Sequence, residues 1–137
     1  MADLAPAAAN VVADYQAKIK TGVAGEALSA GETVYIDSTD DDELKLAKHD
    51  GTEVEAQAVG IVLADALDAA AVTYITEGEL ALGSILTAGV VYGLSATYGA
   101  VAPITDTGSA DYVTVLGVAK SAGTLQVKII VSGATLA

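Results

Sequence analysis

From about residue 18 onward, apolar positions come in short runs broken by Gly, Ser, Thr and Asp, and within many runs they alternate with polar ones. Thr33-Val34-Tyr35-Ile36-Asp37, Leu44-Lys45-Leu46-Ala47-Lys48 and Tyr112-Val113-Thr114-Val115-Leu116-Gly117 are rich in β-branched residues and Tyr and are bounded by turn formers, the pattern of strands with one buried face. Strands are predicted over residues 16–23, 33–37, 44–48, 58–64, 72–76, 90–95, 112–119 and 125–131. Short strands at even spacing predict an all-β fold, a compact β-sandwich or barrel-like domain. Helix is a minority: residues 52–57 suit a turn or two, and residues 64–70 read as a loop.

The pattern divides the chain. Residues 1–20 lack a lasting period of two and are predicted to be an N-terminal arm, with the β-domain over 21–137. The arm has two readings: a short helix over 7–13, since Ala is the best helix former and Pro6 suits a first helical position, or an extended segment ordered against a partner. The β-domain contains an echo. Leu28-Ser29-Ala30-Gly31-Glu32-Thr33-Val34-Tyr35 returns as Leu86-Thr87-Ala88-Gly89-Val90-Val91-Tyr92 with one residue dropped, and Ala58-Val59-Gly60-Ile61-Val62 returns as Val115-Leu116-Gly117-Val118-Ala119. Two similar halves, about 22–78 and 79–133, are therefore predicted. Gly31 and Gly89 are placed to take the positive φ of a turn, whereas Gly60 and Gly117 lie inside strands, where glycine marks a bulge, a bend or a close backbone approach.

Composition narrows what this domain can do. The 137 residues contain no Cys, Phe or Trp, so stability has to come from burying Val, Ile, Leu, Ala and six Tyr; small all-β chains with thin cores of this kind often share an interface with copies of themselves. The formal charge is −12, with 18 carboxylates against six lysines and no arginine. Phosphate recognition needs clustered cations, so nucleic acid is excluded as a partner, and an anionic membrane surface is excluded by the same repulsion. The start, Met1-Ala2-Asp3-Leu4-Ala5-Pro6, carries no positive charge ahead of its Ala-rich stretch and does not read as a secretory signal.

Candidate chemistry is sparse. The run Asp37-Ser38-Thr39-Asp40-Asp41-Asp42-Glu43 could attract calcium, but it lacks the ligand spacing and central glycine of an EF-hand and reads equally as a solvated hairpin tip. His49, the only histidine, sits in the polar stretch Lys48-His49-Asp50-Gly51, where an exposed imidazole is the ordinary outcome. No motif assembles a nucleophile, a base and an oxyanion donor. No catalytic, cofactor-binding or metal-binding residue is therefore assigned, no cofactor is predicted, and the chain is expected not to be an enzyme. Tyr15 carries a large area at low entropic cost, so it is either an interface anchor or the start of the first strand.

The segments 28–37, 44–47, 58–61, 86–95 and 112–119 quoted above resemble, in style and order, the capsid decoration or cement proteins of tailed bacteriophages. The resemblance covers residues 22–133 and extends to phage head-fibre and some tail proteins. It implies a compact β-domain, often trimeric, on the outer face of the phage head, made in the bacterial host cytoplasm, with an N-terminal arm reaching over the major capsid protein. Leu4, Pro6, Val11, Val12 and Tyr15 are the candidate arm contacts. The expected function is structural stabilisation of the capsid lattice. The alternatives are a head-fibre or tail-fibre domain that binds a bacterial surface and a calcium-binding β-module centred on residues 40–43.

Overall fold

The alternating stretches 33–37 and 112–119 become strand over those same residues, because each puts β-branched or aromatic side chains on the face that meets the core. The computed structural model describes Asp3, Leu4 and residues 6–136. Its strands are β1 (Val12–Ala13), β2 (Lys18–Val23), β3 (Thr33–Asp37), β4 (Glu43–Leu46), β5 (Ala58–Val62), β6 (Ala71–Ala81), β7 (Val91–Leu94), β8 (Val101–Pro103), β9 (Tyr112–Ala119) and β10 (Thr124–Thr135). Helix among the described residues is limited to three 3₁₀ turns of three residues each. The strands form one antiparallel sheet curled into a half-barrel, in the order β4-β3-β5-β6-β10-β9-β7-β8, with β1 and β2 attached to β6.

Strand β6 is the hub. Ile75 and Tyr74 pair with β5 and also with β2, while Leu80 and Ala81 pair with β10 and also with β1. The stretch 76–79, where the sequence suggests a strand end, continues as strand instead. Gly78 takes φ of +108° there, and a Cβ would meet the carbonyl oxygen of Gln16 and lie 2.6 Å from Ala17 Cα. The boundary drawn at residue 20 falls inside β2 and the one at 78 inside β6, so neither marks a break in the sheet.

The pairing order is the same in the two halves when read outward from the β6–β10 contact. The echo needs no dropped residue: Val34 pairs with Gly60 and Tyr92 with Gly117, so Tyr92 matches Val34 and the counterpart of Tyr35 is Gly93. The bulge glycine, not the tyrosine, sets the register. Each pairing slips by one residue immediately after it, which bends the strand and strengthens its twist. Tyr74 on β6 matches Leu125 on β10 by their pairing with β5 and β9. The same shift carries Glu77 onto Lys128, its own cross-strand partner.

Two apolar clusters flank the sheet. The larger joins Ile61, Ile75, Leu80, Leu82, Leu94, Leu116, Leu125 and Val127 with Tyr35 and Tyr92. The smaller, on the opposite face of the first half, joins Leu28, Val34, Leu44, Val62, Val72 and Tyr74. Neighbouring residues of β3 and β5, Val34 and Tyr35 or Ile61 and Val62, belong to different clusters, so the first half of the sheet is buried on both faces. Substituting Gly117 by Ala tests the bulge: the new Cβ would collide with the Gln126 carbonyl oxygen and lie 3.0 Å from Val127 Cα, both backbone atoms of the neighbouring strand. A loss of about 1–3 kcal/mol is expected in urea denaturation, against less than about 0.5 kcal/mol for Ala122→Ser on the exposed β9–β10 turn. Equal stability of the two variants would contradict this account.

Candidate contact surface

The five residues expected to contact a partner separate into two groups. Leu4 forms an isolated bridge to Val101, its N–H donating to the Val101 carbonyl at 2.8 Å, and packs partly buried against the larger core. Pro6 lies over Gly31, where φ is +91° and a Cβ would fall 2.5 Å from Pro6 Cγ. Val11 is 6% exposed and belongs to the larger core. These three side chains pack on the β-domain of their own chain. Val12 and Tyr15, at 54% and 64% exposure, face outward.

Backbone geometry explains the split. The Ala-rich stretch makes only a 3₁₀ turn at Ala8–Asn10 and then enters β1, since so short a helix is marginal without packing. Asp14 N–H donates to the Glu79 carbonyl at 2.8 Å, and Glu79 N–H donates to the Tyr15 carbonyl at 3.0 Å. The segment is therefore held along β6 by its main chain, and alternate side chains point in and out, Val11 inward and Val12 outward. Lys120, in ion contact with Glu79 at 2.9 Å, lies beside this strip, and its ammonium is held above the ordinary lysine range, first by its hydrogen bond to Glu79.

The acidic run forms the tip of the β3–β4 hairpin. Asp37 and Asp40 share the ammonium of Lys45, each at 2.9 Å, and Asp37 also accepts from the hydroxyl and N–H of Thr39 at 2.6 and 3.0 Å. These bonds, the Thr39 hydroxyl first and Lys45 next, lower the Asp37 carboxyl from 3.8 to about 2, and the Lys45 ammonium is raised in return. Asp41 and Asp42 take positive φ, 55° and 56°, a conformation Asp tolerates at a turn.

His49 lies elsewhere than its polar neighbours suggest. It is 4% exposed, because the segment after β4 tucks between loops of the second half: its N–H donates to the Ser95 carbonyl at 3.0 Å and its carbonyl accepts from Tyr112 N–H at 2.9 Å. Its Nδ1 is 3.1 Å from Asp111 Oδ2, near enough for an ion pair when the imidazole is protonated but not aligned for a hydrogen bond. Ser95 Oγ and Asp3 Oδ1 are 2.5 Å apart, and these residues line a shallow cavity with Thr97 and Asp106. The partners of His49 are far away in sequence, so no local signal could have revealed its burial. Beside it, Glu55 accepts from Thr52 N–H at 2.9 Å and Tyr98 OH at 2.8 Å, and the Lys48 ammonium sits 4.3 Å from the centre of the Tyr98 ring. These bonds, that from Thr52 N–H first, lower the Glu55 carboxyl.

No protein-family model matches the chain, and no curated protein matches it.

Val11→Ala removes buried methyl groups and is expected to cost about 1–2 kcal/mol in denaturant unfolding, whereas Val12→Ala should change stability by less than about 0.5 kcal/mol; the reverse order would contradict this facing of β1. The hairpin tip makes a pH prediction. Because folding lowers the Asp37 carboxyl from 3.8 to about 2, its contribution is complete above the ordinary value and is lost as pH falls from about 4 to about 2. Asp37→Asn should flatten the acid limb of stability over that window in a melting series, and an unchanged limb would rule the contribution out.

Proposed function

We propose that this chain is a structural protein of the tailed-phage virion that binds the outer surface of the head and stabilises the capsid lattice, with Val12 and Tyr15 as its apolar contacts with the major capsid protein. The observation that carries the reading is the N-terminal strip itself: a large aromatic and a β-branched side chain stand exposed on a backbone fastened to the central strand. Rigidly presented aromatic area loses little entropy on docking, which is why such residues dominate interfaces.

The rest of the surface fits that role. A domain of net charge −12 repels its own kind in solution and has no affinity for the DNA inside a shell, so docking depends on the local strip. One copy contributes modest contacts, and many copies held in an oligomer, of which a trimer is the form the resemblance implies, sum them by effective concentration. The shell is then stabilised by mass action, because a ligand that binds the assembled lattice and not the free subunit shifts the equilibrium toward assembly.

The test is co-sedimentation with expanded, undecorated phage heads. The wild-type chain is expected to bind saturably at a fixed ratio to the capsid subunit, and the double variant Val12→Ser, Tyr15→Ser, folded by circular dichroism, to bind at least about tenfold more weakly. Unchanged binding by that variant would remove the strip from the interface. Absence of wild-type binding would overturn the cement reading and turn attention to bacterial surfaces, as for a fibre domain.

A further inference from the structure

The outer edges of the sheet are covered by the chain's own segments. β4, terminal at one end, is bridged by Ala24, with Gly25 N–H donating to the Leu44 carbonyl at 2.8 Å, and β8, terminal at the other, is bridged by Leu4. Three edges remain open among the described residues: β1 and β2 each pair with β6 alone, and β10 beyond Lys128 pairs with β9 alone. β10 leaves β6 at Glu77, whose Cα partners are Lys18 on β2 and Lys128 on β10, and the chain before β2 bulges at Gln16 and Ala17 over Gly78, leaving a notch of about 570 Å³ lined from both sides. Open strand edges with exposed apolar side chains, here Ile19 and Ile130, are sites where another chain adds.

The notch also carries the opposite sign to the molecule. Lys18, Lys20 and Lys128, three of the six lysines, stand on the strands that bound it, and Glu77 is the one carboxylate lining it. Lys18 reaches Glu77 at 3.0 Å, yet its side chain stays 72% exposed. Two such notches cannot meet face to face without setting lysine against lysine. An acidic partner is required, and the densest acidic feature of the chain is the hairpin tip 37–43, where Lys45 compensates Asp37 and Asp40 while Asp41 and Asp42 stand exposed. A chain cannot fill its own notch with its own tip: β2 starts at the notch and runs toward Ala24, which bridges Leu44 of the hairpin, so the two features lie on the order of 20 Å apart, the length of a six-residue strand.

We propose that the notch between β2 and β10 receives the acidic hairpin tip of a second copy of this chain. The contact is head-to-tail, leaving every copy one tip and one notch, so it closes into a ring where the rotation permits and otherwise extends. It goes beyond the shell-binding reading and does not depend on it, since self-association is measured with no shell present.

Sedimentation velocity of the full chain tests it. Association is expected at low ionic strength and dissociation at about 1 M salt, where the screening length falls to about 3 Å. Lys18→Glu with Lys20→Glu, and separately Asp41→Lys with Asp42→Lys, should each weaken association at least about tenfold, and an equimolar mixture of the two should restore it, because each then offers the charge the other lacks. Since positive φ suits Asn better than Lys, Asp41→Asn with Asp42→Asn serves as the tip variant that preserves the fold and should also weaken association, with melting curves confirming folding. A wild-type chain that stays monomeric at low salt, variants that associate like wild type, or a mixture that stays dissociated would each overturn the proposal.

Discussion

Along β6, hydrogen-bonding partners approach from both sides, and everything else in the molecule is arranged around meeting them. A strand in that position can leave no N–H or C=O unpaired without cost. Its first half is satisfied by β5 and β2 and its second by β10 and β1. The N-terminal residues therefore belong to the sheet that carries the core. The same requirement positions the outward strip: with the main chain of residues 12–15 tied to β6, Val12 faces away from the core opposite to Val11, and Tyr15 stands exposed on the turn that follows β1.

A core without Phe or Trp is filled by bending the sheet around small side chains. The in-strand glycines make the bend. A Cβ at Gly60 would meet the Tyr74 ring and fall 2.6 Å from the Ile75 carbonyl oxygen, so the absence of a side chain lets the Tyr74 ring close over the backbone, where it helps to seal the smaller cluster. Its partner in the other half, Gly117, lets β10 come equally close. Tyr92 fills the larger cluster and satisfies its hydroxyl locally, accepting from Thr87 N–H at 2.9 Å, as a buried phenol must.

Charge is distributed so that the sheet's exposed edges differ in kind. Carboxylates gather at the β3–β4 tip, where Lys45 offsets part of their repulsion, and the opposite sign gathers where Lys18 and Lys128 flank Glu77. On a chain this acidic, long-range repulsion discourages indiscriminate association while leaving short-range, complementary contacts favourable. The proposed shell contact and the proposed contact between copies both draw on that balance, the first through apolar area and the second through paired charge.

Most of the strands were legible in the amino-acid order, because alternation and turn residues act over a few neighbours: β3 and β9 were predicted to the residue, and β10 and β7 to within a few. The echo between halves and the strand glycines were legible for the same reason. Strands β1 and β8 were not, being too short for a period to show, and neither was the continuation of β6 through Gly78, which depends on a segment sixty residues earlier closing over it. The site follows the same division. Sequence alone determined that Val12 and Tyr15 are apolar residues in an N-terminal segment; only the tertiary structure decided that Val11 is buried while they are not, that His49 is covered, and that Lys18 and Lys128 meet at one notch. Those outcomes are set by pairing between distant strands, whose partners no local pattern can specify.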